Sequence, residues 1–252
     1  MKGRDKMQFL ETFCCTAKEI IALTGAGGKT SVMLAMAAEA KQRGIKTILT
    51  TTTKIYEPQG MSVVVAAKPS ILQRKINSAF AKNTVIVVGR SRLGGKLLGL
   101  DFSLFKVLAE TEAALIIAEC DGASGKPFKA PAEHEPPIPP DTTLVVPVTG
   151  IDCIGRPLTA ENVHRPELVA QIAGAALGSR VTAKMVADVI TSNAGYLKNI
   201  PPQARWIPFI NKVETAAEAN TARDIATKIT AQNPAIVSFG AALQADPVKE
   251  VI

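Results

Sequence analysis

Short apolar runs alternate with longer segments rich in helix-forming residues along most of the chain. The run EIIALTG at 19–25 predicts a buried strand, TSVMLAMAAEAKQRG at 30–44 predicts a helix ending at its glycine, and KTILTTTTKIY at 46–56 predicts the next strand. A strand, a helix and a second strand in direct succession form a βαβ unit. We therefore expect these two strands to be parallel.

The same alternation continues to the end of the sequence, interrupted by one irregular stretch. ASGKPFKAPAEHEPPIPP at 123–140 holds six prolines, which is incompatible with regular structure. A turn or hairpin is expected at 90–100. The remaining strands are expected at 61–67, 83–90, 113–122, 142–150, 205–214 and 235–241, and the remaining helices at 69–82, 104–112, 166–177, 182–191 and 215–233.

The apolar residues, 47% of the chain, are mainly Ala, Val, Ile and Leu, and aromatic residues make up only 4%. This composition suits a mainly parallel sheet covered by helices on both faces. The predicted fold class is therefore α/β, with three α/β/α layers. No linker divides the sequence, so a single domain over residues 1–252 is expected, with a small C-terminal subdomain as the alternative.

The net charge of +7 is spread over scattered lysines and arginines. Without a Lys/Arg run or aromatic–basic interleaving, nucleic acid is not an expected partner, whereas anionic small molecules such as nucleotides are. No apolar run approaches the ~18 residues of a membrane span, so no membrane partner is expected. The basic start makes a poor signal peptide, and the four cysteines form no CxxC pair. A cytoplasmic location is expected.

The glycine-rich stretch LTGAGGKTS at 23–31 follows the first predicted strand. A standard phosphate-binding loop has Gly, four residues and Gly-Lys-Ser/Thr, but here Leu23 stands at the first glycine position. The stretch is either a shortened nucleotide cradle or a glycine-rich turn that carries a lysine. In the first case Lys29 reaches the outer phosphates, and Thr30 or Ser31 offers a hydroxyl to Mg²⁺. The nucleotide-binding residues would be Gly25, Ala26, Gly27, Gly28, Lys29, Thr30 and Ser31.

Two acids, Glu119 and Asp121, end the apolar strand predicted at 113–122. An acid at this position fits the magnesium-binding element of nucleotide-hydrolysing folds, and Gly122 could donate its N–H to a terminal phosphate. The alternative is a solvated acidic strand end. If the metal interpretation holds, the metal ligands are Thr30, Glu119 and Asp121.

The tetrapeptide Asn211-Lys212-Val213-Glu214 ends a late strand. It is similar to the base-reading Asn-Lys-x-Asp of GTP-binding proteins, so Asn211, Lys212 and Glu214 are candidate nucleotide-binding residues. Because Glu reaches further than Asp, selectivity for guanine is an open question. A polar cap at a strand end is the alternative.

Residues 126–140, here called the proline-rich segment, form the most distinctive stretch of the sequence. Its prolines favour a loop held in one shape. Lys126 and Lys129 precede a tip with Glu133, His134 and Glu135, which could bind metal, relay protons or hold substrate. An ordinary loop tip is the alternative.

Several motifs, taken in order, resemble the YqeC family over about residues 10–245: LTGAGGKTS, TTTTKIY, AECDGASGKPFKAPAEHEPPIPP, TGIDCIGRPLTAENVHRPE and FINKVE. The glycine loop alone also looks like the shortened loop of the Mur ligases. Members of the YqeC family are described as accessory proteins of selenium-dependent molybdenum hydroxylases. The resemblance implies a P-loop NTPase fold and a role in maturing a selenium-containing molybdenum cofactor. The family pattern has Glu-Ala-Asp-Gly where this chain has Glu119-Cys120-Asp121-Gly122, and both acids are kept.

Together these observations predict a protein that binds Mg²⁺ and ATP or GTP. It would hydrolyse the nucleotide or transfer its phosphoryl group. The expected catalytic residues are Lys29, Glu119, Asp121 and His134, with His134 touching substrate. Selenophosphate, the molybdenum cofactor or a molybdenum hydroxylase are the expected partners. A Mur-like ligase or small-molecule kinase and a chaperone switched by nucleotide are the alternatives.

Overall fold

The computed structural model describes residues 7–13, 15 and 18–252. The first six residues of the basic start, which was weighed above as a signal peptide, and Cys14 lie outside these ranges. The helices are Phe9–Thr12 (α1), Lys29–Gln42 (α2), Pro69–Phe80 (α3), Phe102–Ala109 (α4), Pro166–Ala173 (α5), Ala183–Thr191 (α6) and Ala216–Gln232 (α7). The strands are Glu19–Gly25 (β1), Thr47–Thr51 (β2), Lys54–Tyr56 (β3), Ser62–Val65 (β4), Val85–Gly89 (β5), Ser91–Leu93 (β6), Lys96–Leu98 (β7), Leu115–Glu119 (β8), Phe128–Lys129 (β9), Leu144–Gly150 (β10), Val163–His164 (β11), Arg205–Trp206 (β12), Phe209–Asn211 (β13), Ser238–Gly240 (β14) and Val248–Val251 (β15).

A large central sheet organises the chain. Its strands lie in the order β15-β14-β13-β10-β1-β8-β2-β5-β4, and β12 pairs with β10 beside β13. All pairs are parallel except β14 with β15. The mainly parallel α/β architecture expected from the sequence is confirmed, and so is the parallel direction of β1 and β2, which lie on either side of β8.

Helices cover both faces of this sheet because apolar side chains alternate between the faces along each strand. In β1, Ile21 and Leu23 pack with α1 and α2 on one face. Ile20 and Ala22 point to the other face, which α3 and α4 cover. A further cluster joins α5, α6 and α7 to β13 and β14. The result is a three-layer α/β/α arrangement.

Two predicted strands are broken in the structure. The strand expected at 46–56 ends at Thr51, and β3 belongs instead to a three-stranded antiparallel sheet with β7 and β6. The chain leaves the main sheet here because the Thr51 hydroxyl bonds to the Glu119 carbonyl and the Thr51 carbonyl accepts from Leu100. The strand expected at 205–214 divides into β12 and β13 around Pro208, which has no N–H for the ladder.

The hairpin expected at 90–100 is formed by β6 and β7. Threonine side chains cap two of the helices. Thr182 caps α6 by accepting from the Met185 amide, and Thr215 with Glu218 makes a capping box at the start of α7. The proline-rich segment contains no helix, yet it holds the two-residue strand β9, which pairs with β11. Within the described ranges, no helix has the length and apolar character needed to cross a membrane.

Candidate functional site

Four neighbouring parallel strands end at one edge of the sheet, and their last residues are Gly25, Glu119, Gly150 and Asn211. Three of these residues were singled out from the sequence, and the structure brings them to a common edge. In open parallel sheets, ligands bind at the carboxyl ends of the strands. This edge is therefore the candidate site.

Two positions of the glycine loop accept only glycine, because of their backbone angles and their close neighbours. Gly27 and Gly28 have φ values of +81° and +112°, in the left-handed region. A Cβ on Gly27 would lie 2.0 Å from the Gly150 nitrogen, and a Cβ on Gly28 would lie 2.6 Å from Nδ2 of Asn211. The loop is thus packed directly against the ends of β10 and β13.

The backbone amides of the loop fall into two groups. Ala26 donates to the Val148 carbonyl at 2.8 Å, and Gly27 donates to the Lys126 carbonyl at 3.1 Å. In contrast, the amides from Gly28 to Ser31 donate to no described residue. They open the fourteen-residue helix α2, whose N-terminus carries partial positive charge. Consecutive free amides at a helix start form a cradle for an anion such as phosphate.

Lys29 is the first residue of α2, yet its side chain turns beneath the loop and is only 4% exposed. The ammonium donates to the Gly25 carbonyl at 2.6 Å and lies 3.0 Å from Oδ1 of Asp121 and 4.0 Å from Oε1 of Glu119. The positive charge of the Lys29 ammonium is therefore held at the glycine loop.

Thr30 and Glu119 meet at the open side of the loop. The Thr30 hydroxyl donates to Oε2 of Glu119 at 2.7 Å. Burial raises the pKa of Glu119 above its ordinary value, and the Lys29 charge and the Thr30 hydrogen bond oppose this only in part. Two hard oxygen ligands beside a phosphate cradle fit Mg²⁺, which binds a few carboxylate or hydroxyl oxygens together with phosphate and water.

Asp121 lies deeper than Glu119 and is 1% exposed. Its Oδ2 accepts from the Gly25 amide at 3.1 Å and from the ammonium of Lys129 at 2.9 Å, while Lys29 approaches Oδ1. Two lysines thus share this carboxylate. Of the two carboxylates, Asp121 is therefore the less accessible to a metal ion.

Lys129 connects this carboxylate to the proline-rich segment. Its side chain is fully buried and donates to the Gly122 carbonyl at 2.7 Å and to Oε2 of Glu135 at 2.6 Å. Arg165 holds the same Glu135 in a two-point contact, at 2.6 and 3.0 Å. Burial alone would raise the pKa of Glu135, but the hydrogen bonds from Arg165 and Lys129 outweigh it and lower the pKa to about 2.

Of the tetrapeptide at 211–214, Asn211 makes the closest contact with the loop. Its Nδ2 donates to the Gly27 carbonyl at 2.9 Å, and its Oδ1 accepts from the Ala242 amide at 3.0 Å. The Lys212 ammonium lies 2.9 Å from Asp152, and the Glu214 side chain is exposed. Asn211 therefore supports the loop, whereas Lys212 and Glu214 make no hydrogen bond to it in the part of the chain that the structure describes.

The tip of the proline-rich segment does not join the loop. Glu133 and His134 are exposed, and neither makes a hydrogen bond or ion pair with any described residue. No group of three or more His, Cys, Asp or Glu suited to a metal ion occurs in the described ranges. Beside the tip lies a cavity of about 400 Å³, within the size range of small-molecule sites. Its lining includes Pro131, Glu133, Leu168, Ile172 and Lys198.

Some residues of the site could not be recognised from the sequence. Tyr196 is fully buried, and a Cβ on Gly25 would lie 3.0 Å from its ring. Burial raises its pKa well above the ordinary value. Nothing near Tyr196 in the sequence indicates this position. Cys120, between the two acids, is also fully buried, and burial raises its pKa, so its thiol is no nucleophile here.

Comparison with known proteins gives two matches. The family model described as YqeC protein matches residues 21–167, a range that includes the glycine loop, both acids and the proline-rich segment. A protein of Escherichia coli strain K12, described as uncharacterized protein YqeC, is 30% identical over 202 residues. This alignment covers 79% of the present chain and 78% of the relative.

Proposed function

The chain belongs to the YqeC family, and we propose that it binds a magnesium nucleotide, ATP or GTP, and hydrolyses it or transfers its phosphoryl group. The observation that carries this proposal is the row of free amides from Gly28 to Ser31 at the start of α2, with Lys29 and Glu119 beside it. Amides, a cation and an oxygen pair for Mg²⁺ are what the phosphates of a nucleotide require.

Each group has its own part in the proposed reaction. The loop amides hold the phosphate oxygens, and Lys29 exchanges Asp121 for a phosphate and offsets its negative charge. Thr30 and Glu119 hold Mg²⁺, which, when bound, neutralises charge on the outer phosphates. Asp121 acts as a further metal ligand or orients the attacking water. The second reactant lies beside the proline-rich segment, where His134 touches it.

The first experiment measures binding of ATP, GTP, ADP and GDP, with and without Mg²⁺, to the wild type and to Lys29→Ala. Lys126→Ala is the matched control, because Lys126 is a lysine close to the loop whose ammonium bonds only to the Glu161 carbonyl among described residues. We expect binding that needs Mg²⁺, is lost in Lys29→Ala and is kept in Lys126→Ala. If the folded wild type binds none of the four nucleotides, the proposal is wrong.

The finer role follows from the resemblance of the sequence motifs to the accessory proteins of selenium-dependent molybdenum hydroxylases. We propose that the nucleotide supports maturation of a selenium-containing molybdenum cofactor. Release of phosphate from ATP or GTP should then rise when selenophosphate, the molybdenum cofactor or a molybdenum hydroxylase is added. If none of the three additions changes the rate of phosphate release, this role is contradicted. The proposal that the protein binds a nucleotide would not be affected.

A nucleotide-switched chaperone is the second candidate, and the ion pairs between the loop and the proline-rich segment favour it. This version predicts very slow turnover and an affinity for a partner protein that differs between the diphosphate and triphosphate states. A ligase or kinase acting on a small acid predicts instead that ADP release depends on that acid. Measuring turnover and partner affinity on one preparation separates the three.

A further inference from the structure

Five charged side chains of alternating sign lead from the glycine loop to the start of α5. They are Lys29, Asp121, Lys129, Glu135 and Arg165, and each lies within 3.0 Å of the next. The three at the loop end are almost completely buried. We call this row the ion chain.

Such a row is not explained by stability alone. Removing charges from water is costly, and apolar residues of similar volume often stabilise a protein equally well or better. Buried charges close to a candidate phosphate-binding site are therefore better explained by a functional role. The geometry of the ion chain indicates this role, because its charged side chains join segments that are separate in the sequence.

Lys129 is the central member and contacts the segment that follows β8 at two residues. Its ammonium contacts Oδ2 of Asp121 and the carbonyl of Gly122, and its third contact is Glu135 of the proline-rich segment. Its backbone is fixed as well, because Lys129 pairs with His164 between β9 and β11. Lys129 thus connects Asp121 and Gly122 to the proline-rich segment.

We propose that Lys129 is a positioning residue that couples the glycine loop to the proline-rich segment, so that nucleotide binding changes how this segment is held. The inference rests on the proposed nucleotide function and adds its regulation. A phosphate in the cradle draws Lys29 away from Asp121. Asp121 then has two courses. It either binds Mg²⁺, so that Lys129 keeps only its contacts with Glu135 and Gly122, or it keeps Lys129 as its one lysine partner. In both cases the ion pair between Lys129 and Glu135 changes strength.

Hydrogen–deuterium exchange of the peptide covering residues 128–138 tests this coupling, with and without the Mg²⁺ nucleotide that binds in the first experiment. Two variants are compared with the wild type. Glu135→Gln breaks the ion chain beyond Lys129 and leaves Lys129 on Asp121, and Lys129→Met removes the central charge. Lys126→Met serves as the control, because its side chain lies outside the ion chain.

In the wild type and in Lys126→Met, nucleotide should change the exchange of this peptide. In Glu135→Gln the nucleotide should still bind, with an affinity within about twofold of wild type, while the exchange response is lost. If Glu135 had only a structural role, the substitution would not remove the exchange response and leave the affinity unchanged. Lys129→Met should lose both the exchange response and most of the affinity for the nucleotide. If this variant does not fold, Glu135→Gln by itself still tests the coupling. A response kept in Glu135→Gln, or none in the wild type despite binding, overturns the coupling alone. Absence of nucleotide binding overturns the proposed function as well.

Discussion

The Thr30 hydroxyl donates a 2.7 Å hydrogen bond to the carboxylate of Glu119, from the first turn of α2 to the end of β8. Thr30 is exposed and Ser31, its neighbour, is half-buried. The sequence left open which of these two hydroxyls would serve Mg²⁺. The contact with Glu119 favours Thr30.

Replacing Thr30 by Val should therefore weaken the Mg²⁺ dependence of nucleotide binding, because one oxygen ligand is replaced by a methyl group of similar size. We expect the Mg²⁺ concentration at half-saturation to rise by about tenfold or more. Ser31→Ala is the matched control and should leave it nearly unchanged. The measurement is a Mg²⁺ titration at fixed nucleotide concentration, and equal effects of the two substitutions would contradict the assignment.

The raised pKa of Glu119 predicts a pH dependence. The folded state holds this proton more tightly than the unfolded state, whose carboxyl titrates near 4.5. The stabilisation is present below pH 4.5 and is lost as pH rises through the folded-state pKa. Mg²⁺ binding depends on pH in the opposite sense, because it requires the ionised carboxylate of Glu119. Lowering the pH through that value should weaken Mg²⁺ binding.

Glu119→Gln should abolish this pH-dependent step and, without Mg²⁺, be at least as stable as the wild type near pH 7. Calorimetric Mg²⁺ titrations between pH 5 and 8 check the first point, and urea unfolding at the same pH values checks the second. Glu112→Gln, a change at an exposed acid paired with Lys46, is the control. An unchanged step in Glu119→Gln would assign the titration to another group.

Glu135 provides a test of the opposite sign, because its pKa is lowered to about 2 from 4.5. Its stabilisation is present above pH 4.5 and is lost as pH falls toward 2. The pKa difference corresponds to at most about 3 kcal/mol, and solvent screening of this partly exposed carboxylate reduces it to about 1–2 kcal/mol. Glu135→Gln should lower the free energy of unfolding by that amount at pH 7. Denaturant unfolding at pH 7 and pH 3 should show the difference shrinking at the lower pH.

Asn211 and Glu214 should affect nucleotide binding differently. Asn211 uses both polar ends of its amide to join Gly27 to Ala242. Asn211→Ala should therefore weaken ATP and GTP binding by the same factor and lower the free energy of unfolding by about 1–3 kcal/mol. Only Glu214→Ala should change the ratio of the two affinities, if this acid reads a base. Competition binding of ATP against GTP checks both, and a changed ratio in Asn211→Ala would show that Asn211 reads the base.

The sequence was sufficient for the parallel strands of the sheet and for the strand-end residues, because both depend on local patterns, whereas the antiparallel edge strand β15 was not predicted. Apolar runs ending in Gly25, Glu119 and Asn211 identify the ends of parallel strands, and parallel strands bring such ends to one edge. The break after Thr51 was not predictable, since it depends on hydrogen bonds to Glu119 and Leu100, which are distant in sequence.

The sequence also could not predict contacts between side chains that are far apart along the chain. Lys129 and Glu135 are visible as charged residues of the proline-rich segment, but their contacts with Asp121 and Arg165 arise only from the fold. Asn211 was recognised from its motif as a candidate nucleotide-binding residue, but its contacts with Gly27 and Ala242 arise only from the fold. The role of His134 remains a prediction, because its side chain is exposed and makes no hydrogen bond or ion pair with any described residue.

The glycine loop is fastened from three directions, by Val148, by Lys126 and by Asn211. Its conformational entropy is therefore lost when the chain folds rather than when a ligand arrives. This preorganisation favours affinity, since little ordering remains to oppose binding. Association would then be limited by diffusion and by the departure of the Lys29 ammonium from Asp121, and not by a rearrangement of the loop backbone.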